Sequence, residues 1–145
     1  MATAKPFVKW AGGKSHLLGQ LQALLPSDIG NKEDLTYIEP FVGGGAMLFY
    51  MLSNYKNIKR VIINDINQDL ITCYRLIKDN PLPLIKELKS LENRYTALSQ
   101  EEQKTMYYQI REKYNSRKYS PTLEAAYFMF LNHTCFNGLY RVNSK

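Results

Sequence analysis

The sequence has few cysteines and few histidines. Its 145 residues include two of each, Cys73 and Cys135 together with His16 and His133. These four residues match no CxxC or zinc-ligand spacing, which argues against a metal site and against a disulfide scaffold. We therefore predict no metal site, and we predict that both cysteines serve as small buried hydrophobic residues.

Long apolar runs are also absent. No stretch approaches the ~20 residues that cross a membrane, and the N-terminus lacks the apolar region of a signal peptide. These absences predict a cytoplasmic protein without a membrane partner. The sequence has no internal repeat and no low-complexity tract, whereas 45% of its residues are hydrophobic, enough to build the core of one domain of ordinary size.

A glycine-rich turn is the most informative segment that is present. Gly43, Gly44 and Gly45 follow a short apolar run and precede a helix-like segment. Three residues without Cβ allow positive φ and the close approach of a ligand to the backbone. Asp65 lies 22 residues after Gly43, near the ~20 expected between a nucleotide-cradling glycine loop and the acid that binds ribose hydroxyls. This spacing predicts a cofactor that carries adenosine; a tight packing turn without a ligand is the alternative.

A second glycine pair lies near the N-terminus. Gly13-Lys14-Ser15 matches the end of a phosphate loop, but the position five residues before Gly13 is Val8 and not glycine. A nucleoside triphosphatase is therefore disfavoured. Ser15 is a candidate N-cap for a helix from His16 to Leu25, which places Lys14 in the first turn, where the helix dipole disfavours a cation. A lysine there is easier to explain if it contacts a carboxylate; an ordinary solvated lysine is the alternative.

The two glycine motifs together resemble those of the Dam-like family of S-adenosylmethionine-dependent DNA adenine methyltransferases. In that family KWAGGK, here Lys9 to Lys14, precedes PFVGGG, here Pro40 to Gly45. The segment from Ile63 to Asn67 resembles the family's acid-bearing second strand. The segment from Phe130 to Asn143 resembles the start of its target-recognition hairpin.

The resemblance implies a binding site for S-adenosylmethionine. Trp10 and Lys14 would lie against the cofactor, with Lys14 near its methionyl carboxylate, and the turn from Glu39 to Gly45 would wrap the methionyl and ribose portions. Asp65 would accept hydrogen bonds from the ribose diol, a role that suits a carboxylate; a helix N-terminal acid is the alternative. The cofactor-binding residues predicted in this way are Trp10, Ala11, Gly12, Gly13, Lys14, Glu39, Pro40, Phe41, Gly43, Asp65 and Ile66.

Double-stranded DNA is the partner that the resemblance implies. Arg141 would present a planar fork to a guanine within GATC or a similar site. Phe136 would insert into the duplex, and Asn137 would contact backbone or base. The composition agrees, because 19 Lys and Arg residues against 13 Asp and Glu residues give a net charge of +6. Basic residues interleaved with tyrosines after Arg94 also suit DNA; half-buried tyrosines in a helical bundle are the alternative.

The catalytic motif of the family is missing. Adenine methyltransferases use [DNS]-P-P-[YFW] to hold the amino group of the flipped base, whereas the six prolines of this chain include no adjacent pair. We therefore predict no catalytic residue and expect this chain alone to be inactive. A truncated gene product, an expressed fragment, or half of a split enzyme whose second chain carries the motif would each explain the absence. A restriction-modification, phage or housekeeping role stays open.

The predicted fold is α/β, with a partial Rossmann-like methyltransferase sheet followed by a helical DNA-recognition domain that is incomplete at the C-terminus. Strands alternate with helices up to Asn80, which favours a parallel sheet with its ligand at the carboxyl ends of the strands. Asn80 to Pro83 breaks this pattern and predicts a cofactor-binding part at 1–80 and a truncated helical target-recognition domain at 81–145. The expected strands lie near Tyr37 and at 60–64, and the first expected helices lie at 46–53, 68–78 and 84–98. A capping box at 99–102 opens the next helix. Ser120 and Pro121 open the last one, whose segment 123–131 should be buried.

Two other functions fit part of the sequence. A dinucleotide-dependent oxidoreductase shares the glycine turn and the acid, but it explains neither KWAGGK nor residues 136–143. A non-catalytic DNA-binding or regulatory module fits the basic, tyrosine-rich half and the missing catalytic motif.

Overall fold

A computed structural model of the chain describes residues 4–135, which belong to two compact units. The first unit extends to Ile66 and the second begins at Asn67. The helix Gln68–Asp79 is therefore part of the second unit, whereas the sequence pattern grouped it with the segments before residue 80. It contacts the helix Pro121–Thr134, which is distant in the sequence, so no local pattern reveals this contact.

The N-terminal helix begins differently from the prediction. A 3-10 turn, Lys14–Leu17, leads into a short helix α1, Leu18–Ala23. Gly13 precedes the turn and no side chain caps it, so the prediction of Ser15 as the N-cap is wrong. The backbone explains the shift, because the N–H of Gly13 donates to the carbonyl of Trp10 at 3.0 Å and closes a tight turn just before Lys14.

Two parallel strands form the sheet of the first unit. The strand β1 spans Leu35–Glu39 and β2 spans Ile58–Ile63, and the helix α2, Ala46–Asn54, connects them. The predicted strands and the predicted helix between them are confirmed in type, and their ends agree to within two residues. A strand, a helix and a parallel strand are what the alternating pattern before Asn80 indicates.

The pairing of β1 with β2 continues past the ends of both strands. Ile38 pairs with Ile62 and Glu39 with Ile63. Beyond them the N–H of Asn64 donates to the carbonyl of Glu39, and the N–H of Val42 donates to the carbonyl of Asn64, each at 2.9 Å. The segments that follow the two strands therefore lie side by side at the carboxyl edge of the sheet.

The helix α2 begins directly after the glycine turn. Gly45 has φ +82° and Gly43 has φ +51°, both in the left-handed region that glycine adopts without strain. The buried face of α2 consists of Ala46, Met47, Leu48 and Met51. The turn thus reverses the chain tightly and delivers an apolar helix face to the core of the first unit.

Four helices make up the described part of the second unit: α3 is Gln68–Asp79, α4 is Pro81–Thr96, α5 is Gln100–Ser116 and α6 is Pro121–Thr134. The helix α6 contacts the other three, and every residue from Ala125 to Phe130 is buried. A helix that is apolar all round belongs at the centre of a bundle. The prediction of a buried helix at 123–131 is confirmed.

Local capping signals set the starts of these helices. Asn67 caps α3 by accepting from the N–H of Leu70 at 2.8 Å. At α5, Ser99 and Glu102 form the capping box that the sequence predicts. The helix α4 starts at Pro81, three residues earlier than predicted. A proline in the first turn lacks an N–H that would have no helical partner there, so it begins a helix rather than preventing one.

The two cysteines differ in burial. Cys73 is fully buried in α3, as predicted, while Cys135 is half-buried, and neither forms a disulfide. Within residues 4–135, no three His, Cys, Asp or Glu side chains are grouped so that they could hold a metal ion. No helix of this part of the chain is long and apolar enough to cross a membrane.

Candidate functional site

All eleven residues that the sequence assigns to the cofactor lie in the first unit. They fall into three segments: residues 10–14 before α1, residues 39–43 at the end of β1, and residues 65–66 after β2. Because β1 and β2 are parallel neighbours, the second and third segments leave the sheet at the same edge. That edge is where parallel α/β sheets bind ligands.

Asp65 contacts the glycine turn. Its Oδ2 accepts a hydrogen bond from the backbone N–H of Gly43 at 2.9 Å. The start of the next helix has a cap and an acid of its own. Asn67 caps that helix and Asp69 lies in its first turn.

Lys14 contacts a carboxylate of the chain itself. Its Nζ lies 3.1 Å from Oε1 of Glu39 and also donates to the backbone carbonyl of Phe41. Glu39 is only 6% exposed, which is unusual for an acid and requires such partners. The ion pair therefore fastens the segment before α1 to the end of β1. The alternative of an ordinary solvated lysine does not fit these contacts.

Trp10 packs on the glycine turn. A Cβ built on Gly43 would lie 3.2 Å from Cδ1 of Trp10, and one on Gly44 would lie 3.2 Å from the carbonyl oxygen of Val8. Packing within the chain therefore accounts for two of the three glycines, as the packing-turn alternative requires. The same packing holds the indole of Trp10 beside the turn.

Large apolar side chains are exposed at this edge of the sheet. Phe41, after β1, is 76% exposed and Ile66, after β2, is 93% exposed. Pro40, Ala11 and Gly12 are exposed as well. An apolar surface next to a buried carboxylate and a lysine can receive a ligand that has both a flat apolar part and a charged part.

Tyr37 is a member of the site that the sequence interpretation missed. Its Oη donates to Oε2 of Glu39 at 2.8 Å. Burial, followed by the hydrogen bond and the charge of Glu39, raises the pKa of Tyr37 above its ordinary value, so the phenol stays protonated at neutral pH. The signal was present in the sequence, since two residues separated by one in a strand point to the same face of the sheet.

The residues assigned to DNA, namely Phe136, Asn137 and Arg141, lie outside the described residues. Part of the basic, tyrosine-rich region is described. On α5 the guanidinium of Arg111 lies 4.7 Å from the ring centre of Tyr108, which is 42% exposed. This pair presents a stacked cation and ring to solvent.

Other residues of the same region are structural. Arg117 donates to both carboxylate oxygens of Asp69 at 2.7 and 2.8 Å and lies 4.2 Å from the ring centre of Tyr114. The hydroxyl of Tyr114, a buried residue, also donates to Asp69. For these two residues the bundle alternative is correct, because their contacts join α5 to α3.

Comparison with known proteins gives a consistent result over nearly the whole chain. A family model described as D12 class N6 adenine-specific DNA methyltransferase matches residues 10–145. The type II methyltransferase M.MjaIII of Methanocaldococcus jannaschii is 48% identical over 143 residues, which are 97% of this chain and 49% of that protein.

Two bacterial proteins are similar at lower identity. The type II methyltransferase M1.LlaDCHI of Lactococcus lactis subsp. cremoris is 39% identical over 97% of this chain and 45% of its own length. A DNA adenine methylase of Haemophilus influenzae is 36% identical over 97% of this chain and 44% of its own length. The chain therefore spans about half the length of the curated relatives it matches.

Proposed function

Since this chain belongs to the D12 class of N6 adenine-specific DNA methyltransferases, we propose that it supplies the cofactor-binding part of such an enzyme, with S-adenosylmethionine as the methyl donor. The reaction transfers the methyl group to the exocyclic amino group of adenine in duplex DNA, within GATC or a closely related site. Family membership leaves the dinucleotide-dependent oxidoreductase without support.

The hydrogen bond between Asp65 and Gly43 carries this proposal. It joins the acid after β2 to the glycine turn after β1 at the carboxyl edge of the sheet, with 2.9 Å between Oδ2 and N. A carboxylate has about four acceptor positions, so one such side chain suits both a backbone N–H and the two hydroxyls of a ribose. On this ground Asp65 is assigned to the ribose of the donor.

The other residues of the site suit the remaining parts of the donor. The Nζ of Lys14 carries three N–H groups and uses two of them for Glu39 and the Phe41 carbonyl. The third is available to the methionyl carboxylate. Trp10, Phe41 and Ile66 supply apolar surface for the adenine and ribose. S-adenosylmethionine, when bound, supplies an electrophilic methyl group, and the residues of this chain bind and orient it.

Binding of S-adenosylmethionine to the 145-residue chain, measured by calorimetry, tests the cofactor assignment. Asp65→Ala is expected to weaken the affinity at least tenfold, because two charge-assisted hydrogen bonds to the ribose are lost. Asp79→Ala, which removes an exposed acid at the end of α3, is the matched control and should bind normally. Equal affinities of the two variants would contradict the ribose role.

We further propose that residues 81–145 contribute target recognition, with Arg141, Phe136 and Asn137 as DNA contacts. Arg141→Lys keeps the charge but loses the planar fork, so it should reduce the preference for GATC over a scrambled duplex by ~1–3 kcal/mol and largely retain nonspecific affinity. Fluorescence anisotropy at fixed salt measures both quantities. An unchanged preference would contradict the guanine contact.

Methyl transfer is the last part of the proposal. Because the sequence has no adjacent prolines, no residue of this chain is assigned to hold the adenine amino group. We expect no transfer of labelled methyl to a GATC duplex by this chain alone. Transfer at the rate of a complete enzyme would show that the chemistry resides in residues we have assigned elsewhere.

A regulatory DNA-binding module would bind DNA equally well with and without S-adenosylmethionine.

A further inference from the structure

Tyr37 belongs to the candidate site through its contact with Glu39, but the cofactor assignment gives it no role. Side chains of β1 alternate between the two faces of the sheet, so Tyr37 and Glu39 point to the same face. Ile38, between them, is 59% exposed on the other face, whereas Glu39 is buried. The strand therefore places a phenol directly beside a buried carboxylate.

The carboxylate of Glu39 is held from two sides. Tyr37 Oη donates to Oε2 at 2.8 Å, and Lys14 Nζ donates to Oε1 at 3.1 Å. The two donors come from different segments of the chain and engage different oxygens, so together they fix the plane of the carboxylate as well as its position. Since Lys14 also donates to the Phe41 carbonyl, the contacts run from Tyr37 to the turn after β1.

We propose that Tyr37 is a positioning residue for the methyl-donor site and that it acts through Glu39. By occupying Oε2, the phenol keeps Oε1 directed at Lys14, and Lys14 in turn holds the Phe41 carbonyl. The inference rests on the proposed function, in which Lys14 and the turn contact the methionyl end of S-adenosylmethionine. Without the phenol, one oxygen of a buried carboxylate loses its donor, and the orientation of the ammonium is lost with it.

The ionisation state of the phenol supports this role. Only a protonated phenol can donate to Glu39, and burial together with Glu39 raises the pKa of Tyr37. The donor is therefore present throughout the physiological pH range. A phenolate at this position would repel Glu39 instead of orienting it.

A double-mutant cycle tests the inference. The chain is titrated with S-adenosylmethionine unchanged, as Tyr37→Phe, as Glu39→Gln and as the double variant. Tyr37→Phe is expected to weaken binding about tenfold. Adding Tyr37→Phe to Glu39→Gln should change the affinity less than about twofold, because the residue through which Tyr37 acts is already altered. Tyr108→Phe, which removes an exposed phenol from the second unit, is the control and should bind like the unchanged chain.

Two results of this cycle overturn the inference. Unchanged affinity in Tyr37→Phe would show that the phenol does not matter for the donor site. Additive losses in the double variant would show that Tyr37 supports the fold in general and not through Glu39.

A fluorinated tyrosine at position 37 provides a second test, which does not depend on whether Tyr37→Phe folds. Fluorination keeps the shape of the ring but lets the phenol ionise at lower pH. The affinity of this variant for S-adenosylmethionine should begin to fall at a lower pH than the affinity of the unchanged chain, because the fluorinated phenol loses its proton first. Loss of packing would not produce such a profile. Parallel profiles contradict the inference.

Failure of the proposed function would give a different pattern. If the unchanged, folded chain binds no S-adenosylmethionine, the proposed function is wrong, and the inference about the donor site is wrong with it. The unfolding free energies of the four forms then show whether Tyr37 and Glu39 are coupled at all. If the unchanged chain binds and the Tyr37 variants bind equally well, only the inference fails.

Discussion

At the scale of single residues, Gly43 is constrained by its backbone conformation, its packing and its hydrogen bond at once. It has φ +51°, it lies against Trp10, and its N–H donates to Asp65. A side chain at this position would strain the left-handed backbone and crowd the Trp10 ring. The site residues of the first unit are therefore held by a backbone position that only glycine satisfies without strain.

Gly43→Ala should lower the free energy of unfolding of the first unit by ~1–3 kcal/mol. The left-handed backbone costs about 1–2 kcal/mol for an L-residue, and the added Cβ would lie 3.2 Å from the Trp10 ring. Gly19→Ala is the control, because Gly19 lies in α1 with nothing within 4 Å of an added Cβ. Alanine there should stabilise by up to about 1 kcal/mol. Urea unfolding followed by the fluorescence of Trp10, the only tryptophan, measures both; a loss in both variants would contradict this account.

Cys73 should be unreactive in the folded chain. Burial, followed by the charge of Asp69, raises the pKa of its thiol to about 12, so almost no thiolate exists at neutral pH. In Cys135→Ser, a disulfide reagent such as Ellman's reagent should therefore label Cys73 only as fast as the second unit opens. In Cys73→Ser, the half-buried Cys135 should react faster. Rapid labelling of Cys73 under native conditions would contradict its burial.

The sequence predicted that some of these residues make contacts, but it did not identify the residues that they contact. It favoured a carboxylate partner for Lys14, because the helix dipole disfavours a cation in a first turn, and it left a solvated lysine as the alternative. The partner, Glu39, lies 25 residues away, and only the folded strand brings it to Lys14. The contact between Tyr37 and Glu39 could have been found from strand alternation. The position of Asp65 beside Gly43 agrees with the spacing argument, while its ribose contact stays a prediction.

At the scale of helices and strands, the sequence was most informative where capping or periodicity is local. Ser99 and Glu102, and Ser120 followed by Pro121, mark the starts of α5 and α6 in the structure as they do in the sequence. Predictions failed where backbone geometry depends on a neighbour. Pro81 begins α4 without a loop, because Asn80 alone separates it from α3.

The ends of α3 and α5 are joined by one carboxylate. Asp69, in the first turn of α3, accepts from both Arg117 nitrogens and from the Tyr114 hydroxyl. Arg117 is the C-cap residue of α5, and its φ of +52° lies in the left-handed region. A bidentate, partly buried ion pair of this kind stabilises more than an exposed one.

Asp69→Asn should lower the free energy of unfolding of the second unit by ~1–2 kcal/mol, because an amide offers one acceptor oxygen where three hydrogen bonds now converge. Asp79→Asn is the same change in the same helix, at an exposed pair with 3.6 Å between Lys78 Nζ and the carboxylate. It should change stability by less than about 0.5 kcal/mol. Urea unfolding followed by far-ultraviolet circular dichroism compares the two. Similar losses in both variants would mean that the contacts of Asp69 are not special.

At the scale of the whole molecule, each compact unit carries a group whose pKa is raised by burial: Tyr37 in the first and Cys73 in the second. A raised pKa means that the folded state holds a proton that the unfolded chain releases at lower pH. The stabilisation is therefore complete below the ordinary pKa of each group and declines as the pH rises above it.

Both units are thus expected to lose stability in alkaline solution, the second from about pH 9 and the first from about pH 10. For the second unit the decline due to Cys73 should be about 1 kcal/mol per pH unit. In Cys73→Ala, the free energy of unfolding of the second unit, measured by circular dichroism, should decline less steeply with pH. In Tyr37→Phe, the free energy of unfolding of the first unit, measured by the fluorescence of Trp10, should decline less steeply with pH. An unaltered pH dependence in either variant would contradict the assignment for that unit.

The sheet of the first unit also affects how the chain behaves in solution. Ile38 and Ile62 pair in register and are 59% and 39% exposed, so they form an exposed hydrophobic patch on one face of the sheet. The net charge of +6 opposes the meeting of two such patches by mutual repulsion. Added electrolyte screens that repulsion over a Debye length of about 10 Å at 0.1 M while leaving the attraction intact. Colloidal stability should therefore be best in dilute buffers, and turbidity should increase as sodium chloride is raised.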